Sequence, residues 1–157
     1  MTNSAIIPKH GSFLYRLDAA VGGALGTSDR QVRRFRISSI QTNLASPHLK
    51  DVHVTWALNK GLSSGTVGNG GMLDAYSVLR SIYNSRLPVA NVQLIGTYPL
   101  KARRSHPEET TVMRLSMSRQ VALLIARAGW DTMDPQTVWP LLSRHYVAPD
   151  FQPLPSY

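Results

Sequence analysis

The stretch "VHVTWALN", residues 52–59, limits what this chain can become more than any other. Val52, Val54, Trp56 and Leu58 share one parity; His53, Thr55, Ala57 and Asn59 share the other. Successive side chains of an extended strand point to opposite faces, so the alternation predicts a strand with one apolar and one polar face. A face bearing Val, Val, Trp and Leu must be covered. Partner strands and a packing layer therefore have to come from the rest of the chain.

Three other segments alternate in the same way. In "RQVRRFRISSIQ" (30–41) Phe35 and Ile37 oppose Arg34 and Arg36. In "VANVQLIGTYPL" (89–100) Val92, Leu94 and Tyr98 oppose Gln93, Ile95 and Thr97. In "TVMRLSMS" (111–118) Met113, Leu115 and Met117 oppose Arg114 and Ser116. Helical spacing replaces alternation in "MLDAYSVLRSIYNSR", where Met72, Ala75, Tyr76, Leu79, Ile82 and Tyr83 recur every three or four residues until "LP" at 87–88 stops the helix. Ser118 is placed to cap "RQVALLIARAG", with Gly129 as its stop. Asp134 and Pro135 signal a last short helix that starts at "DPQTVWPLLSRHY" and that Pro140 must kink or shorten.

The order strand, strand, helix, strand, strand, helix, short helix predicts an α+β fold. Its sheet is expected to be four-stranded and largely antiparallel, with helices 71–86 and 118–128 on one face and a short C-terminal helix. Val54, Trp56, Leu79, Ile82, Leu94, Leu115, Leu124 and Ile125 are the expected core. Residues 1–29 read as an N-terminal arm, since Gly22, Gly23 and Gly26 weaken the short helix that Phe13, Leu14, Leu17 and Val21 suggest. Residues 30–146 form the single domain, and 147–157 a proline-rich, extended tail.

The glycine-rich run "GLSSGTVGNGG" (61–71) tests for phosphate chemistry. A Walker loop needs a lysine after its last glycine, and the dinucleotide fingerprint needs a third glycine at the right spacing; the run has neither. It reads as slack chain between a strand and a helix, with Asp74 in the first turn of that helix. His10, His48, His53, His106 and His145 are scattered without ligand spacing, and cysteine is absent, so neither a metal nor a cofactor is expected. No serine lies in a nucleophile elbow. An enzyme whose site assembles only in three dimensions is the least favoured class.

Charge is the remaining signal. The 157 residues carry 17 Lys and Arg against 9 Asp and Glu, a formal +8, which favours anionic partners. No stretch is long and apolar enough to span a membrane, and Arg16 and Asp18 interrupt the one candidate signal-peptide core, so the chain is expected to be soluble; its localisation is unknown. The polar parity of the four strands would form an open, basic sheet face, as antiparallel sheets commonly leave one face in water. The residues singled out for a partner or an anion are Arg33, Arg34, Arg36, Lys101, Arg103, Arg104 and Arg114. The reading is a non-enzymatic binding or assembly module whose partner is an acidic protein or another copy of the chain. The alternative is a nucleic-acid-binding protein working through arginine–phosphate contacts, although the strand aromatics fall on the inward parity and so offer no base-stacking platform.

Overall fold

The computed structural model describes residues 12–100 and 108–152, and shows an α+β fold built on a five-stranded mixed sheet with four helices. Strand β1 (Phe35–Thr42) pairs antiparallel with β2 (Lys50–Ala57), and β2 pairs parallel with β3 (Val89–Leu100). Strand β3 runs antiparallel to β4 (Glu108–Ser118), and β4 antiparallel to β5 (Arg144–Val147), so the strands lie side by side in chain order.

Two features correct the expected four-stranded, largely antiparallel sheet. Parallel neighbours need a crossover connection, and helix α2 (Ser64–Asn84) is the one joining β2 to β3. The fifth strand comes from the segment expected to be helical: Pro135–Val138 (α4) makes one turn, Trp139–Leu141 tightens to a 3-10 turn at Pro140, and the chain then extends along β4. Proline cannot continue the hydrogen-bond ladder of a helix, which explains why a sound start signal gave so short an element.

The glycine-rich run is a second correction. It is helix, not loop: residues 64–71 are the first two turns of α2. Ser63 Oγ accepts from the Thr66 N–H at 3.2 Å and Thr66 Oγ1 accepts from the Ser63 N–H at 2.9 Å, a reciprocal capping box. Close approach accounts for two of the glycines. A Cβ on Gly68 would stand 1.8 Å from the Phe151 carbonyl oxygen, and one on Gly71 would stand 2.7 Å from Leu58 Cδ2. Packing supplies the stability that glycine propensity withholds. Asp74 consequently lies in the third turn of α2, too far in for the N-terminal dipole to explain it.

The expected N-terminal arm is partly a packed helix. Helix α1 (Phe13–Leu25) starts where Ser12 Oγ accepts from the Tyr15 N–H at 3.1 Å. It lies against α2 and buries Leu17, Ala20 and Val21 completely. The expected tail also contributes to the core. Phe151, in the 3-10 turn Pro149–Phe151, is buried over α2 and meets Tyr98 edge-on at 5.7 Å.

Val54, Trp56, Leu79, Ile82, Leu94, Leu115 and Ile125 are buried in one cluster, as the alternation and helical spacing predict. Leu124 is not: it is 56% exposed, because α3 (Arg119–Ala128) buries only the line through Ala122 and Ile125. No helix among the described residues is long and apolar enough to cross a membrane.

Candidate functional site

The inward parity of β2, β3 and β4 packs under the helices, so the opposite parity forms an open face. Its register orders it into transverse rows. In one row Arg36 faces Thr55, Thr55 neighbours Ile95, Ile95 faces Arg114 and Arg114 faces Tyr146. In the next, Ser39, His53, Gln93, Ser116 and Arg144 lie abreast. With neighbouring strands ~4.8 Å apart, Arg36 and Arg114 have their Cα atoms roughly 14 Å apart across the face. Arg144 is diagonal to Arg114 on the adjoining strand, within reach of one ligand group.

None of the Arg36, Arg114 and Arg144 side chains has a hydrogen-bonding or ion-pair partner among the described residues. The two rows contain no carboxylate. Asp51, one row further, accepts from Asn43 Nδ2 at 3.0 Å and Asn91 Nδ2 at 2.9 Å on Oδ1 and from Asn43 Nδ2 at 3.2 Å on Oδ2. Tyr146 is 48% exposed between Arg114 and Arg144, an amphipathic ring between two cations.

Four arginines of "RQVRRFR" have four different fates. Arg30 closes one end of the sheet: its guanidinium grips the Glu109 carboxylate through two bonds of 2.9 Å, its Nε donates to the Leu58 carbonyl at 2.8 Å, and it lies 4.8 Å over the Tyr98 ring. Arg33 is exposed beside β1. Arg36 reaches the open face.

Arg34 is a correction, since the alternation placed it on that open face. It precedes β1, turns under the sheet and is buried, with Nη2 on Asp74 Oδ2 at 2.8 Å and Nη1 donating to the Ala57 carbonyl. Trp56 Nε1 donates to the same Asp74 oxygen at 3.3 Å. This pair joins α2 to the start of β1. Burial nevertheless outweighs Arg34 and raises the Asp74 carboxyl above its ordinary value. Lys101, Arg103 and Arg104 lie outside the described residues. The structure therefore brings Arg36 and Arg114 into one row, places Arg33 at its rim and removes Arg34.

Sequence reasoning missed Arg144 and Tyr146, which β5 adds to the face. The available signal was Pro140, which ends the helix early and frees "RHYV" to extend.

Chemically, the face offers unpaired guanidinium donors, hydroxyls and amides around the half-buried Ile95. The three groups pushed upward by burial, Asp74, Tyr76 and Tyr83, all belong to α2 on the covered side of the sheet. Tyr83 donates to the Met117 carbonyl at 2.9 Å and Tyr76 to the Met133 carbonyl at 3.1 Å, so both hydroxyls are engaged in holding the layers together. Among the described residues no group of three His, Asp or Glu side chains could hold a metal ion. Compared with protein-family models, curated proteins and solved structures, the chain matches none.

Proposed function

We propose that this protein is a non-enzymatic binding module whose open sheet face takes an acidic surface of another protein. One observation carries the reading: Arg36, Arg114 and Arg144 share an open face with no carboxylate in their two rows and no side-chain partner among the described residues. Guanidinium groups presented in this way recognise carboxylates through paired hydrogen bonds. Tyr146 supplies an aromatic anchor beside them, and Arg and Tyr are the residue types that dominate binding energy at protein interfaces. Face-to-face self-association would oppose these cations to their own copies, so an acidic partner fits better than a second copy through this face. The second reading, nucleic acid, is favoured by the same Tyr146, which could stack on a single base between two phosphate-binding arginines.

The test is affinity capture from the native host with wild type and with Arg36/Arg114/Arg144→Glu, each with and without nuclease. An acidic protein captured by wild type, retained after nuclease and lost in the variant is the expected result. Loss on nuclease treatment, with binding that weakens steeply as salt rises, moves the reading to nucleic acid. Association that survives charge reversal refutes both.

A further inference from the structure

Beside the open face, at the edge where Arg36 stands, the first two turns of α1 and the outer edge of β1 enclose a groove of about 770 Å³ lined by Leu14, Tyr15, Asp18, Arg33, Arg36 and Ile37. Further along the helix, α1 meets β1 directly: the Phe35 ring comes within 3.5 Å of the Gly22 Cβ position. Towards Ser12, Leu14 and Tyr15 of the helix are more than half exposed.

Strand β1 is the first strand of the sheet, and no described strand pairs with its outer edge. The Ala57 N–H donates to the Arg34 carbonyl at 2.8 Å, so residues 34 and 57 form a hydrogen-bonded pair. Alternation along an antiparallel ladder then turns the N–H and C=O groups of Phe35 and Ile37 outward, into the groove. Unpaired backbone of this kind is a template for an added strand.

We propose that this groove binds an extended segment of another protein by strand addition, and that the segment alternates acidic and apolar residues. Both properties follow from the two walls. Residues of an added strand point alternately to the helix side and to the open side of the sheet. The helix side meets Leu14, Tyr15 and Ile37, which are apolar. The open side meets Arg36, with Arg33 at the strand's start, and neither side chain has a partner among the described residues. Asp18 on the helix wall excludes acidic residues from the apolar side. Main-chain bonds supply affinity and the alternating walls supply specificity, as in other edge-strand recognition. The groove shares Arg36 with the open face but uses neither Arg114, Arg144 nor Tyr146, so Arg114/Arg144→Glu, which leaves the groove's lining intact, tells the two sites apart.

The experiment titrates the full chain with an end-blocked Glu-Val-Glu-Val-Glu peptide, following backbone amide resonances. Saturable shifts at residues 35–37 and in the first turns of α1 are expected. Methylating the two valine nitrogens, which removes two main-chain donors, should weaken binding roughly 10- to 30-fold. The Lys-Val-Lys-Val-Lys peptide should not bind. Ala19→Trp, at a half-buried position of the helix wall that lines the groove, should block it; Leu14→Glu, at a position 53% exposed, is the milder variant that leaves the core alone. Equal binding of the methylated peptide overturns strand addition. Shifts confined to residues 114 and 144–146 place the peptide on the open face and overturn the groove. No saturation at millimolar peptide, or a dimer through β1 in sedimentation, overturns it as well.

Discussion

Two alanine substitutions two residues apart in α2 should have opposite signs. In a helix interior Gly→Ala stabilises by about 1 kcal/mol when the new methyl meets nothing. Gly70 satisfies that condition, since no atom lies within 4 Å of its Cβ position. At Gly68 the methyl would sit 1.8 Å from the Phe151 carbonyl oxygen, and that oxygen belongs to backbone, so the 3-10 turn must lift away. Undocking exposes the Phe151 ring, now only 3% exposed, at about 1.5–3 kcal/mol. It also breaks the edge-on contact with Tyr98, worth about 0.5–1.5 kcal/mol. Set against the propensity gain, Gly68→Ala should destabilise by about 1–3.5 kcal/mol. Each kcal/mol moves the melting temperature by about 2–4 °C for a chain of this size. Thermal melts should therefore show Gly70→Ala rising by about 2–4 °C and Gly68→Ala falling by up to about 14 °C. Adding Phe151→Ala to Gly68→Ala should cost much less than Phe151→Ala alone, because the ring is already displaced. A Gly68→Ala protein as stable as wild type would refute the account of why α2 tolerates its glycines.

The buried pair gives two further predictions. Arg34→Met leaves the Asp74 carboxylate without its cation and should cost about 3–5 kcal/mol in denaturant unfolding; Asp74→Leu should be similarly severe, while the double variant recovers most of the loss. Additive losses in that cycle would show that the two side chains do not act as a pair. Because burial raises the Asp74 carboxyl above its ordinary 3.8, the native state holds that proton more tightly than the unfolded chain does. Its contribution to stability is therefore full below 3.8 and lost as pH rises through the raised native value. Asp74→Asn should flatten the stability–pH curve in that window, and an unchanged slope counts against the assignment.

Side-chain alternation made the strands legible because it records burial directly: Val54, Trp56, Leu94 and Leu115 sit where their parity puts them. Arg34 escaped the pattern because it stands just before β1, where parity no longer fixes direction and a carboxylate on α2 can draw it inward. The glycine-rich turns of α2 were illegible for a different reason. Propensity describes an isolated helix, whereas these turns are held by packing against Leu58 after β2 and against Met113 and Phe151, far away in the chain. Strand pairing was equally hidden. Alternation says that β2 and β3 are strands but carries no information on their relative direction, which the length of α2 decides. Of the open face, Arg36 and Arg114 could be read from the sequence; Arg144 and Tyr146 depended on where Pro140 ended a helix.

The parallel seam between β2 and β3 also has a consequence in time. The pairs β1–β2 and β3–β4 each join neighbouring segments, and such contacts close quickly in an unfolded chain. The seam cannot zip in the same way, since its two strands meet only after α2 has wound between them and returned the chain to the same end of the sheet. Loop entropy is spent there before any ladder bond is gained. This topology predicts that the two antiparallel pairs form first and that their joining along Val54 and Leu94 is the slow event. Substitutions in that seam should act on the rate of folding, whereas those on the outer strands should act mainly on the rate of unfolding.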